Sequence, residues 1–147
     1  MRSRRQALLT LEPLIGGADI ALFALRLWVG AFLIWGVWDN IVRPSRMREF
    51  AAFLAAHHIG APQVMAPVSV AAQALCGLAF ILGLGTRWAG LLCAVNFLVA
   101  VVMVDGQGGM RTMFPSLSLV LIGLFLATHG PGHYAVDNIL VRRRRVW

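Results

Sequence analysis

Four long apolar stretches, separated by short polar segments, dominate the hydrophobic pattern of the chain. They cover residues 20–42, 64–84, 88–104 and 113–128. The second and third contain no acidic or basic residue, and the first is interrupted only by Arg26 and Asp39. A helix needs about 20 predominantly apolar residues to cross a bilayer, with a working range of roughly 17 to 25. The pattern therefore predicts four membrane-spanning helices, of which the fourth is the shortest.

The segment between the first two apolar stretches, residues 44–58, has a different pattern. Apolar or aromatic residues recur at helical spacing and charged residues lie on the preceding turn, namely Phe50, Phe53, Leu54 and His57 against Arg46, Arg48 and Glu49. This is typical of a short amphipathic helix in the membrane interface, which Gly60 and Pro62 are expected to end. The predicted fold class is all-α, a four-transmembrane-helix bundle with this interfacial helix between helices 1 and 2. We expect a single integral membrane domain over residues 1–147.

Composition supports a membrane protein. Hydrophobic residues make up 59% of the 147 residues and charged residues 13%, against roughly half and about a quarter in soluble domains. All thirteen basic residues are arginine, and they cluster at both ends, including a basic tail at 140–147. With four spans, eight arginines would face the cytoplasm and four the outside, so the positive-inside rule predicts an N-in and C-in topology. The net charge of +7 is not accompanied by a basic face interleaved with aromatic residues, and we expect no binding to nucleic acid.

One group of candidate ligand-binding residues lies near the outer end of the first span. Asp39 shares a helical stripe with Trp28, Phe32 and Trp35, and Asn40 stands beside it. Ionisable residues within a bilayer are costly, which makes them candidates for function. An acid beneath indole rings could bind a quinone head group or a cationic ligand. The pattern is equally typical of an interfacial aromatic belt with an acid at the water boundary.

Further polar residues lie deeper in the spans. Gln73 and Asn96 fall near the midplane of the second and third spans, and buried amides need partners. Two interpretations are open: a hydrogen bond between these amides across adjacent helices, or contact with a ligand. Arg26 is expected to be structural, either reaching the cytoplasmic surface or pairing with Asp19 seven residues earlier.

Small residues recur along one face of the second span, at 72, 76, 79 and 83, and of the third, at 89, 93, 96 and 100. Such stripes favour close packing of membrane helices, so these two faces are predicted to meet. The two cysteines, Cys76 and Cys93, belong to the stripes, and we interpret their thiols as small buried groups. His133 and Asp137 are spaced as on one helix face, but Pro131 interrupts any helix that would add His129, and we predict no metal site. The sequence contains no complete catalytic constellation.

The chain resembles the DoxX family of small four-helix membrane proteins in five places. These are LRLWVG at 25–30, FAAFLAAHHIGAP at 50–62, QALCGLAFILGLGTRWAG at 73–90, NFLVA at 96–100 and GPGHYAVDNIL at 130–140. The third and fifth are the specific ones. The resemblance implies a bacterial inner-membrane protein whose relatives are associated with thiosulfate and quinone redox chemistry and with oxidative-stress complexes.

Three positions depart from the family pattern. Asp39 stands where the family commonly has a lysine, Gln73 where it commonly has a glutamate, and Asp105 where a histidine often follows the third helix. The ion pair that the lysine and glutamate could form inside the membrane is therefore missing here.

By this resemblance, we expect an accessory protein or subunit of a membrane redox system that contacts quinone or a partner oxidoreductase. We also expect the helix bundle to form a homo-oligomer in the membrane. The alternative is a non-catalytic membrane scaffold or assembly factor for a partner protein. Identification of a bound quinone would favour the first function, and recovery of a partner protein without quinone would favour the second.

Overall fold

The computed structural model describes residues 16–139, and all long elements in that range are α-helices. In chain order they are α1 (Ala18–Val42), α2 (Pro44–Ala56), α3 (Pro62–Leu82), α4 (Thr86–Met103) and α5 (Met110–His129), with a short 3-10 helix, Asp105–Gly108, before α5. The helices α1, α3, α4 and α5 are long and apolar enough to cross a membrane. The predicted all-α fold, with four spans and a short helix between the first two, is confirmed.

Prolines and glycines set the helix ends. Pro44 and Pro62 lie in the first turns of α2 and α3, where a missing N–H costs no helical hydrogen bond. Gly83 follows α3 and Gly85 precedes α4, with φ of +67° and +58°, a conformation that glycine adopts without strain. The short reversal makes α3 and α4 antiparallel neighbours. Both helices begin two residues before the predicted stretches 64–84 and 88–104, because the left-handed backbone at Ala61 and at Gly85, rather than the first apolar residue, decides where each helix begins.

Two pairs of glycines allow very close approach between helices. A Cβ atom on Gly30 of α1 would lie 2.6 Å from the backbone oxygen of Gly77 in α3, and one on Gly77 would lie 2.8 Å from that of Gly30. Gly90 of α4 and Gly123 of α5 face each other in the same way, at 2.5 and 2.7 Å. A side chain at any of these positions would meet a neighbouring backbone, so the α1–α3 and α4–α5 crossings depend on glycine.

The small-residue faces of α3 and α4 meet in one half of the bundle. Cys76 Sγ donates a hydrogen bond of 3.3 Å to the backbone oxygen of Ala89. Cys76 and Cys93 are 1% and 2% exposed, which agrees with the interpretation of their thiols as small buried groups. Farther along α4, Ala100 lines a cavity instead. Side chains from all four spans form the core around these thiols: Leu22, Val29, Leu33, Cys76, Phe80, Ala89, Cys93, Leu119 and Leu126.

A buried arginine ties α1 to the C-terminal segment, by which we mean residues 130–139. Arg26 is fully buried, and its guanidinium donates hydrogen bonds to the backbone oxygens of Pro131 and Tyr134, the latter at 2.6 Å. Its Nε has no hydrogen-bond partner among the described residues. The expected structural role is found. The two expected positions of the guanidinium were wrong, because Arg26 neither reaches the surface nor pairs with Asp19.

The C-terminal segment also caps the neighbouring helices. The Asp137 carboxylate accepts hydrogen bonds from the backbone N–H groups of Gly85 and Thr86, at 2.9 and 3.3 Å, at the start of α4. His133 Nδ1 lies 2.7 Å from a carboxylate oxygen of Asp19 in the first turn of α1. The start of α1 and the C-terminal segment therefore lie at the same end of the bundle, as an even number of spans requires.

Arg87 of α4 forms hydrogen bonds with α5 at the same end of the bundle. Its guanidinium donates to the backbone oxygens of Ala127 and Thr128 in the last turn of α5, at 3.0 and 2.6 Å. A cation at this position satisfies carbonyl groups that have no partner within the helix. The end of the bundle with the C-terminal segment is thus held by directional hydrogen bonds from α1, α4 and α5.

A candidate ligand-binding cavity

The opposite half of the bundle contains a cavity of about 490 Å³ between α2, α3 and α4. Its walls are mainly apolar, with polar side chains from Ser69, Gln73, Asn96 and Asp105. The apolar and aromatic lining is contributed by Phe50, Phe53, Leu54, Ile59, Met65, Val68, Ala72, Leu92, Val95, Phe97, Val99, Ala100 and Val104. Small-molecule sites in proteins are typically concave and apolar with a few placed polar groups, and this cavity has that character.

Ser69 connects the two amides that the sequence analysis singled out. Gln73 Nε2 donates to Ser69 Oγ at 3.2 Å, and Ser69 Oγ donates to Asn96 Oδ1 at 3.0 Å. The first of the two interpretations, a direct bond between the amides, is therefore replaced by a relay through a hydroxyl. Ser69 was missed as a site residue, although its position four residues before Gln73 puts both on one face of α3.

The relay leaves hydrogen-bonding capacity at the cavity wall. Within residues 16–139, Gln73 Oε1 and Asn96 Nδ2 take part in no hydrogen bond, and both residues are only partly buried. Gln73 offers an acceptor there and Asn96 offers N–H donors. A ligand with a carbonyl or hydroxyl group could satisfy both amides, since polar groups in apolar surroundings are stabilised by such partners.

Asp105 lies at one end of the cavity, just beyond α4. Its carboxylate accepts a hydrogen bond from the Ser116 hydroxyl of α5. Two of the three departures from the family pattern, Gln73 and Asp105, therefore line the same cavity. The third departure, Asp39, does not line this cavity.

Asp39 and Asn40 line a separate polar recess of about 370 Å³ at the junction of α1 and α2. Arg46 and Glu49 of α2 form an ion pair there at 2.8 Å, and the Glu49 carboxylate raises the pKa of Arg46 above its ordinary value. Asn40 Nδ2 donates to the backbone oxygen of Arg46 at 3.4 Å. The recess is completed by Gly36, Phe50 and Phe53.

Trp28 and Trp35 do not line this recess. Their side chains are 76% and 77% exposed along the outward surface of α1, where a bilayer would cover them. The structure thus brings Asp39 together with Asn40 but places the two indole rings on a lipid-facing surface. Outward tryptophans are common at membrane boundaries. An outer-leaflet pocket that combines Asp39 with these rings stays a prediction.

The comparison with protein families agrees with the geometry. The family model described as DoxX matches residues 21–106, more than half of the chain, and these residues include most of α1, all of α2 to α4 and the whole cavity wall. No curated protein and no solved structure significantly matches the chain. With its four candidate spans, its apolar outer surface and this match, the chain belongs to the DoxX family of membrane proteins.

Proposed function

We propose that this DoxX-family protein binds a lipophilic carbonyl compound of the quinone class in the cavity between α2, α3 and α4. The observation that carries the proposal is the amide and hydroxyl relay of Gln73, Ser69 and Asn96 on the wall of an otherwise apolar cavity. An apolar cavity takes up the ring and chain of such a compound, while donors and acceptors recognise its oxygen atoms.

The chemistry of the free polar groups fits both redox forms of a quinone. A quinone carbonyl accepts hydrogen bonds, which Asn96 Nδ2 can donate. A quinol hydroxyl also donates, and Gln73 Oε1 can accept. When bound, a quinone would supply the two-electron redox chemistry, for which the residues described here provide binding and orientation. Under this proposal the protein is an accessory protein or subunit of a membrane redox system, and a partner oxidoreductase supplies or removes the electrons.

The proposed setting is the bacterial inner membrane, with both termini in the cytoplasm and the chain associated with a partner or with further copies of itself. The positive-inside rule supports the orientation, since eight arginines then face the cytoplasm. The family resemblance supports the membrane and the redox partner.

The experiment is purification in a mild detergent followed by solvent extraction and quantification of quinone per protein. We expect about one quinone per protein in the wild type. Asn96→Leu should lower the affinity for quinone by about tenfold or more, because it removes an amide N–H donor from an apolar site. Ala100→Leu, which adds bulk to the cavity wall, should also lower the quinone content.

Gln73→Leu should lower the quinone content as well, because it removes the second amide from the cavity wall, and Gln63→Leu is its matched control. Gln63 is exposed in the first turn of α3 and does not line the cavity, so its replacement should leave the quinone content unchanged. Reproducible recovery of a partner protein with no quinone in the wild type would contradict the proposal and favour a non-catalytic scaffold.

A further inference from the structure

We propose that the polar recess between α1 and α2 binds the head group of a phospholipid that carries a primary ammonium, as phosphatidylethanolamine does. The recess lies where the apolar sequence of α1 ends, since Asp39 and Asn40 belong to the last turn of that helix and α2 begins at Pro44. A position at the end of a membrane-spanning segment is at the level of the lipid head groups. This proposal does not depend on a quinone in the neighbouring cavity.

The charges of the recess match a zwitterionic head group. Asp39 and Glu49 place two carboxylates in it, and Arg46 supplies a guanidinium. The Arg43 guanidinium forms an ion pair with Asp39 at 3.9 Å, beyond hydrogen-bond length, so the Asp39 carboxylate keeps its acceptor positions. The side chains of these four residues are between 52% and 62% exposed, and a head group can therefore reach them.

Hydrogen-bond chemistry selects the kind of ammonium. A primary ammonium has three N–H donors, and a carboxylate can accept several hydrogen bonds. A quaternary ammonium, as in phosphatidylcholine, has none and gains only the charge interaction and cation–π contact with Phe50 and Phe53. The guanidinium groups of Arg43 and Arg46 are suited to the phosphate, since arginine binds phosphate oxygens through charge-assisted hydrogen bonds.

The surroundings of the recess fit an amphiphile rather than a free ion. Phe50 and Phe53 line both the polar recess and the large apolar cavity. The two rings thus form an apolar wall that continues from the head-group position towards the interior of the bundle. An acyl chain can lie against this wall while the head group stays between Asp39 and Glu49.

The test measures lipid binding to the purified, delipidated full-length protein by native mass spectrometry. The probes are phosphatidylethanolamine, phosphatidylcholine and phosphatidylglycerol with identical acyl chains. We expect the wild type to prefer phosphatidylethanolamine over phosphatidylcholine by about two- to fivefold, the effect of charge-assisted hydrogen bonds to half-exposed side chains. The preference should disappear in a double variant with Asp39→Asn and Glu49→Gln.

Arg48→Gln is the matched surface control. Arg48 is exposed on α2 and does not line the recess, so this variant should keep the preference. Equal binding of the three lipids by the wild type would overturn the proposal, as would a preference for phosphatidylglycerol, which would point to the arginines alone. Should the double variant fail to fold, each single variant is compared instead, and an unchanged preference in both contradicts the proposed role of the carboxylates.

Discussion

Replacement of Gly90 by alanine tests the close crossing of α4 and α5. A Cβ atom at residue 90 would lie 2.5 Å from the backbone oxygen of Gly123 and 2.7 Å from the backbone nitrogen of Ala127. Both atoms belong to the backbone of α5, so no side-chain rotation can relieve the overlap. The two helices have to separate locally, and contacts along their shared face are lost with the separation.

The expected size of the effect follows from two opposing contributions. Alanine is favoured over glycine inside a helix by about 1 kcal/mol. Added bulk in a tightly packed contact costs about 1 to 3 kcal/mol, and the upper part of that range applies here because backbone atoms have to move. We therefore expect Gly90→Ala to lower the free energy of unfolding by about 1 to 2 kcal/mol. Unfolding in mixed micelles, followed by far-ultraviolet circular dichroism, measures this change.

Gly36→Ala is the matched control for this prediction. Gly36 also lies inside a spanning helix, α1, but a Cβ atom there would meet no atom within 4 Å. Only the helix preference then remains, and the variant should gain about 0.5 to 1 kcal/mol of stability. If Gly90→Ala proves as stable as Gly36→Ala, the two helices do not cross at Gly90 and Gly123, and the described packing of α4 against α5 is refuted.

Two further predictions concern the end of the bundle with the C-terminal segment. Arg26→Met should lower the free energy of unfolding by at least about 2 kcal/mol in the same assay, because the backbone oxygens of Pro131 and Tyr134 lose a charged donor; unchanged stability would show that the buried guanidinium does not hold the segment. A reporter that is active only outside the cytoplasm should be silent when fused after Trp147 and active when inserted at 106–109, and the reverse pattern would overturn the proposed orientation.

The spans could be predicted from the sequence because the requirement is local. A continuous run of about 20 apolar residues is a property of one segment, and the surrounding fold does not alter it. The helix ends were less well defined. Gly83 marks the end of α3 through a positive φ, which a hydropathy pattern does not contain. The prediction accordingly extended that span to Leu84, although the helix ends at Leu82.

The glycine crossings could not be predicted, because the spacing of residues within one helix does not show which other helix will contact it. Gly30 and Gly77 belong to helices that are separated in sequence by α2, and nothing in either stretch identifies the other. Arg26 shows the same limit. The sequence offered Asp19 on the same helix, whereas the actual acceptors lie in the C-terminal segment, more than a hundred residues away.

The candidate cavity was predictable in part. Gln73 and Asn96 stood out because amides near the midplane of a span need partners. Ser69 did not stand out, since a serine can satisfy its hydroxyl on the backbone of its own helix and is therefore common in spans. Its role became evident only when the structure placed it between the two amides. The shape of the cavity depends on α2, whose position over α3 and α4 no local pattern specifies.

The two ends of the bundle are held in different ways, and this bears on how a ligand would enter. At one end, directional hydrogen bonds from Arg26, Arg87 and Asp137 join three spans to one another or to the C-terminal segment. At the other end, α2 packs on α3 through an apolar cluster of Ala51, Leu54 and Ala66. Apolar contacts have no preferred direction and tolerate sliding better than hydrogen bonds to charged groups do. Val68 and Val95 of the cavity wall are more than half exposed on the outer surface of α3 and α4, so a ligand in the bilayer can reach the proposed site while the hydrogen-bonded end stays intact.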